Sequence, residues 1–245
     1  MSNPFLYVAL GIISIFIFFE VKGKTLIAFF LKALASFSFI VVFVSNIYSI
    51  VNGHFLFFEG SSNNVSILGN DFSFILFLFL GLICGLIGDL VLELRPFWKK
   101  EEEHHIILAG VIAFSIGHLF YLAAIIRLNQ FHYQAIIFSL FVSVLVFISG
   151  KLLKLNWKKS IIPSLLYSFL IFFMIGETIF TAIDFSFDTF SIFLMIGAIL
   201  FGISDLILSQ IYFKNQNKGI YIITNLSCYY LAQLLIASSI VYLFQ

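Results

Sequence analysis

Charge is what this chain has least of. Lys, Arg, Asp and Glu make up 10% of its 245 residues, against 62% hydrophobic. A soluble domain of this length needs a polar surface, and this composition cannot supply one. Cysteine is scarce as well. Cys84 and Cys228 both fall inside apolar stretches and lack CxxC spacing, which gives no basis for a disulfide framework or a cysteine metal site. Short alternating strands with turn signals are missing, which argues against an outer-membrane barrel. There is no Walker loop, GxSxG elbow or HExxH motif. No basic patch with interleaved aromatics offers a surface for nucleic acid. The formal net charge of +1 singles out no partner.

What the chain does have is a succession of apolar runs, each long enough to cross a hydrocarbon core of roughly 30 Å as a helix. Eight spans are predicted, over 4–20, 25–50, 72–94, 106–126, 133–150, 161–183, 190–213 and 219–244. The first lacks the positively charged start of a signal peptide and is read as a helix. The connections are too short for a second folded domain, so the fold class is all-α, one polytopic membrane bundle. Eleven of the thirteen basic residues lie in the odd-numbered connections, Arg127 alone lies in an even one, and Lys32 lies within span 2. The positive-inside rule therefore places the odd connections in the cytoplasm and both termini outside.

Ionisable groups within such spans are costly, about 2.5–3.5 kcal/mol each at the bilayer centre on insertion scales, and normally face a protein interior or a water-filled cavity. The candidates are Lys32, Asp89, Glu93, His118, Glu177 and Asp205. Glu93 and Glu177 lie near span ends and are read as reaching headgroup level. Asp89 and Asp205 have matching surroundings: GLICGLIGDLVL over 81–92 and GAILFGISDLIL over 197–208. In each, a Gly stands eight residues before the Asp and a small residue directly before it. Spans 3 and 7 hold equivalent places in two four-helix halves, which suggests a parallel internal repeat.

Depth brings these groups to one level. At 1.5 Å per residue, Asp89 and Asp205 lie roughly 9 and 12 Å from the cytoplasmic ends of their helices, and Lys32 about 10 Å. Gly85, one turn before Asp89, permits close approach by another helix or a ligand. A buried Lys–Asp clamp that only orients the bundle is the structural alternative. Gly110, Phe114, Gly117, His118 and Tyr121 form a stripe on span 4. Asn225, Tyr229 and Gln233 stand one turn apart on span 8, and Tyr167 follows Pro163 in span 6. His118 is the only histidine well inside a span, so a three-histidine zinc site is not indicated.

Taken together, these motifs resemble the YhhN-like membrane proteins, the family that includes the lysoplasmalogenases. The resemblance rests on Gly88–Asp89, on GVIAFSIGHLFY with His118 and Tyr121, on GAILFGISD with Asp205, and on YYLAQ with Tyr229 and Gln233. Pro163 and Tyr167 fit the family's sixth span. Lys32 is similar to the family's Lys-Pro motif, although Ala33 follows it here. The resemblance implies an eight-helix hydrolase that cleaves the vinyl ether bond of a lysophospholipid substrate, with no metal or organic cofactor.

The residue types suit that chemistry. A vinyl ether hydrolyses by protonation of its β-carbon, capture of the resulting oxocarbenium ion by water, and collapse of the hemiacetal. Two carboxyls can supply an acid and a stabilising negative group, as they do in glycoside cleavage. Asp89 and Asp205 are expected to be that pair. Lys32 is expected to bind the lipid phosphate or one of the two carboxylates. His118, Tyr121, Tyr167, Tyr229 and Gln233 are expected to hold water or the headgroup, with the lipid tail entering from the bilayer. The alternative is a transporter or channel that uses Lys32, Asp89 and Asp205 as an ion or proton site. A bacterial inner membrane is the expected location. The Asn64-Val65-Ser66 sequon would matter only in a secretory-pathway host.

Overall fold

The computed structural model of the chain describes residues 3–57, 70–99, 102–156, 160–214, 216 and 218–243. Eight long helices account for most of them: α1 (Pro4–Val21), α2 (Thr25–Phe57), α3 (Asn70–Glu93), α4 (Glu103–Leu128), α5 (Tyr133–Leu152), α6 (Ile161–Asp184), α7 (Thr189–Lys214) and α8 (Gly219–Leu243). Each is long and apolar enough to cross a membrane, which makes this an integral membrane protein. The boundaries agree with the hydropathy reading to within about three residues, except that α2 runs on to Phe57. The sequon at Asn64 lies outside the described residues.

Local signals fix the ends. Asn3 caps α1 by accepting the Phe5 N–H, with Pro4 in the first turn, where its missing N–H costs nothing. Gly23 turns the chain toward α2 at φ +66°, a conformation that suits glycine. The exposed surface carries large apolar side chains on every span, among them Tyr7, Phe30, Leu76, Leu119, Phe141, Leu166, Ile203 and Leu231. In water such a surface would drive association; in lipid it is the solvated face.

The packing repeats. The tightest neighbours are α3 with α4 and α7 with α8. α1 lies on α2, and α5 lies on α6. α2 meets α3 as α6 meets α7, and α4 meets α6 as α8 meets α2. Helices α2, α3, α4, α6, α7 and α8 thus close a ring, with α1 and α5 on its outside. These contacts of one half have counterparts in the other, so the parallel repeat hinted at by spans 3 and 7 extends through much of the packing; the contacts of α8 with α1 and with α3 are not matched. The match between spans 4 and 8, not evident in sequence, is legible in the contacts. Gly88 leaves room for the Phe114 ring, while its counterpart Ser204 accepts from the Asn225 amide at 2.8 Å through its backbone oxygen and at 2.9 Å through Oγ. One turn further along, His118 of α4 corresponds to Tyr229 of α8.

Candidate active site

One group of buried polar residues lies in the half of the bundle that carries the lysine-rich connections. Helices α2 and α3 run antiparallel, and each places two polar side chains four residues apart on one face. They meet in register. Lys32 Nζ forms a salt bridge with Glu93 Oε2 at 3.0 Å, and one turn deeper Ser36 Oγ donates to Asp89 Oδ2 at 2.6 Å. All four side chains are buried. Glu93 is therefore not a headgroup-level residue, as its place near the end of span 3 suggested. It is the partner of Lys32, because the antiparallel register sets residue 32 beside 93 and 36 beside 89. Lys32 forms no ion pair with either Asp, although it is close enough to Asp89 to interact electrostatically.

Asp89 has a second partner in α8. Tyr229 donates its hydroxyl to the same Oδ2 at 2.7 Å. Behind it runs a chain of hydrogen bonds. Gln233 Nε2 donates to the Tyr229 oxygen at 3.2 Å, and Tyr121 donates to Gln233 Oε1 at 2.8 Å. The Tyr230 hydroxyl lies 3.1 Å from Ser36 Oγ. The open face at Gly85 is taken up by this network, since a Cβ there would fall 2.7 Å from Gln233 Nε2. Gly85 thus admits another helix.

Asp205 has different surroundings. Tyr167 of α6 donates its hydroxyl to Asp205 Oδ2. Both residues line a cavity of about 110 Å³ bounded by α4, α5, α6 and α7 and by Leu92 of α3. The walls are mainly apolar, including Val111, Phe147, Leu165, Ile171 and Leu208. Asp89 is not among the lining residues, yet the two carboxyls are close enough to interact electrostatically. The two aspartates thus stand at equivalent points of a repeated fold, one closed in by Ser36 and Tyr229, the other open to a cavity.

His118 lies between these regions. Its ring centroid is 5.5 Å from that of Tyr167 and 4.7 Å from that of Phe201. It is buried, and among the described residues neither ring nitrogen has a hydrogen-bond partner. Its counterpart Tyr229 reaches Asp89; His118 stacks beside the tyrosine that reaches Asp205. Buried unpaired polar atoms are uncommon and mark places where a ligand or water completes the bonding.

A second polar cluster escaped the sequence reading. Glu177 is fully buried rather than exposed at the end of its span. It accepts from the His132 backbone N–H at 3.1 Å and meets His132 Nδ1 at 2.9 Å. His132 Nε2 lies 2.9 Å from Asp184 Oδ2, which also accepts from Asn129 Nδ2 at 2.9 Å and Gln130 Nε2 at 3.2 Å. Burial disfavours the His132 imidazolium, but the hydrogen bonds to Glu177 and Asp184 outweigh it and hold its pKa above the ordinary 6.5. The seven-residue spacing of Glu177 and Asp184, two turns on one helix face, opposite a lone loop histidine was the available signal. This clamp ties the α4–α5 connection to the end of α6 opposite the lysine-rich side. Among the described residues no three His, Cys, Asp or Glu side chains come together as metal ligands would.

Comparison with known proteins adds one match. A family model described as the YhhN family matches residues 63–240, a stretch that holds Asp89, His118, Tyr167, Asp205, Tyr229 and Gln233. No curated protein and no solved structure matches.

Proposed function

The chain belongs to the YhhN family, and on that premise we propose that it is a hydrolase that cleaves the vinyl ether bond of lysoplasmalogens within a bacterial inner membrane. The products are a fatty aldehyde and glycerophosphoethanolamine or glycerophosphocholine. The observation that carries the proposal is the placement of Asp205 and Tyr167 on a largely apolar cavity inside a membrane bundle. A cavity of that kind accepts a lipid chain and presents one carboxyl to it.

In this reading Asp205 meets the substrate. It delivers a proton to the β-carbon of the vinyl ether, and the α-carbon becomes an oxocarbenium ion. Water adds to that carbon and releases a proton to the carboxylate, and the hemiacetal collapses to aldehyde and alcohol. Tyr167 fixes the carboxyl by its Oδ2. Asp89, held by Ser36 and Tyr229, adds the second negative group, whose field stabilises the cation. The chain Tyr121–Gln233–Tyr229 fixes Asp89 in turn. The transporter reading would use Lys32 and the two aspartates as one ion site; the ion pair of Lys32 with Glu93 favours the hydrolase reading over it.

The test is aldehyde release from a lysoplasmalogen by purified protein, beside Asp89→Asn and Asp205→Asn variants that elute like wild type. Turnover by wild type that collapses in both variants is expected. Well-folded wild type without turnover would end this assignment, and ion flux in proteoliposomes would then replace it with transport.

A further inference from the structure

Lys32 is buried against Glu93 and does not line the cavity. Two other cations stand next to the cavity at its lysine-rich end, stacked on rings that line it. Its walls there include Tyr212 of α7 and Phe147 of α5. Arg95, in the short turn after α3, places its guanidinium carbon 4.5 Å from the centroid of the Tyr212 ring. Lys151, in the last turn of α5, places Nζ 4.3 Å from the centroid of the Phe147 ring. Each cation is thus stacked on an aromatic ring whose side chain forms the cavity wall. Cation–π contacts hold a charged head in place without neutralising it. Glu103 Oε1 lies 3.3 Å from Nε of Arg95, and a guanidinium carries five N–H donors.

The spacing fits the reaction site. Asp205 and Tyr212 share α7, and their separation corresponds to a rise of roughly 10 Å, a gap that a glycerol backbone with its phosphate ester can bridge. The chain beyond the ether has a path as well. Gly176 packs closely on Ala135, so α5 is tight against α6 near the His132 clamp. Toward the lysine-rich side Ile107 and Val111 of α4 and Val146 and Phe147 of α5 border the cavity instead. α4 and α5 make at most slight contact with each other, whereas the equivalent pair α8 and α1 do pack together. The repeat is broken where the cavity lies.

We propose that Arg95 and Lys151 form the headgroup site for this cavity, binding the phosphate of a single-chain phospholipid that enters between α4 and α5. The proposal rests on reading the Asp205 cavity as the substrate site. It names the feature of the substrate that the cavity selects, a phosphate close to the reacting ether, and it places the lipid chain in the gap left by α5.

Binding tests this without turnover. The full-length protein in nanodiscs is given a radiolabelled 1-O-alkyl lysophosphocholine, which has no vinyl ether, and separately the matching 1-O-alkylglycerol, which has no phosphate. In the double variant Arg95→Gln/Lys151→Gln the lysophosphocholine is expected to bind about tenfold more weakly or worse, the loss typical of charge-assisted hydrogen bonds. The alkylglycerol is expected to bind as to wild type. Lys22→Gln, which removes a cation stacked on Phe18 away from the cavity, is expected to change neither. Arg95→Lys/Lys151→Arg is expected to retain most of the affinity, which separates lost charge from lost fold. Equal weakening for both lipids, or no weakening, would overturn the site. Inorganic phosphate is expected not to compete at millimolar concentration; competition would assign the site to free phosphate and overturn the lipid headgroup. If binding follows this pattern but no aldehyde is released from a lysoplasmalogen, the hydrolase reading fails and the headgroup site stands. If hydrolysis proceeds and the double variant keeps wild-type affinity and KM, only the headgroup site fails.

Discussion

Lys32 and Glu93 meet at 3.0 Å between α2 and α3, with each side chain less than a tenth exposed. An ion pair buried this deeply is weak evidence of net stability, because both charges have left water. Removing one partner, however, strands the other. Lys32→Met is therefore expected to destabilise the protein by about 3–5 kcal/mol. The double variant Lys32→Met/Glu93→Leu is expected to recover most of that loss and to keep its turnover. Thermal unfolding in detergent, with kcat and KM on the same preparations, checks both. A double variant that is stable but has lost lipid affinity would return the phosphate to Lys32.

Tyr167 and Tyr229 each donate to Oδ2 of an aspartate, yet only Tyr167 and its Asp205 line the cavity. If Asp205 is the carboxyl that meets substrate, as proposed, Tyr167→Phe is expected to lower kcat about 10- to 100-fold with little change in KM, because it frees that carboxyl without removing wall area. Tyr229→Phe is expected to cost less, since Ser36 still holds Asp89. Kinetics with a vinyl ether lysolipid decide the order. A larger loss from Tyr229→Phe would make Asp89 the carboxyl that meets substrate.

The eight spans were legible because length and apolarity alone define them, and the positions of Asp89 and Asp205 because a carboxylate in lipid needs a reason. Partner choice was not legible. Lys32 can face Asp89 or Glu93 with a slip of one helical turn, a difference of about 5.4 Å that hydropathy does not encode. The antiparallel register of α2 on α3 settles it. The difference between the two aspartates was hidden as well, since their flanking residues match. It comes from other helices: Ser36 and Tyr229 close over Asp89, while α5 stands away from α4 beside Asp205. His132 was missed because its partners, Glu177 and Asp184, are on a helix more than forty residues downstream.

Close packing of the repeated helix pairs has its own test. A Cβ on Gly117 of α4 would stand 3.2 Å from the Cys84 Cβ and 3.3 Å from the Gly81 backbone oxygen. A Cβ on Gly197 of α7 would stand 3.1 Å from the Ala232 backbone oxygen. In neither case can a flexible side chain alone give way. Gly117→Ala and Gly197→Ala are each expected to cost about 1–3 kcal/mol through overpacking. Gly11→Ala, with nothing within 4 Å of the added carbon, is expected to be neutral or slightly stabilising. Thermal midpoints of the three variants in one detergent provide the comparison. A neutral Gly117→Ala would show that α3 and α4 are less closely apposed than this.

His132 offers a pH dependence whose sign can be worked out. Its folded-state pKa is raised, by Glu177 and Asp184 against the effect of burial. A group with a raised folded pKa contributes its full stabilisation below its unfolded pKa, here near 6.5, and loses it as pH rises through the higher folded value. The protein is therefore expected to be more stable below about pH 6.5 than above the folded pKa, so far as this clamp is concerned. In His132→Asn that part of the slope is expected to vanish, together with some stability at low pH, because the buried Glu177 loses a charged partner. Unfolding midpoints across the neutral range, taken as the difference between wild type and variant, isolate the histidine from other titrating groups. A difference that grows with rising pH would reverse the sign and show that the clamp works with a neutral imidazole. Because the clamp fixes α5 at the end away from Arg95 and Lys151, lipid binding at pH 6 is expected to survive His132→Asn, and a loss there would mean that the α4–α5 gap depends on its closed end.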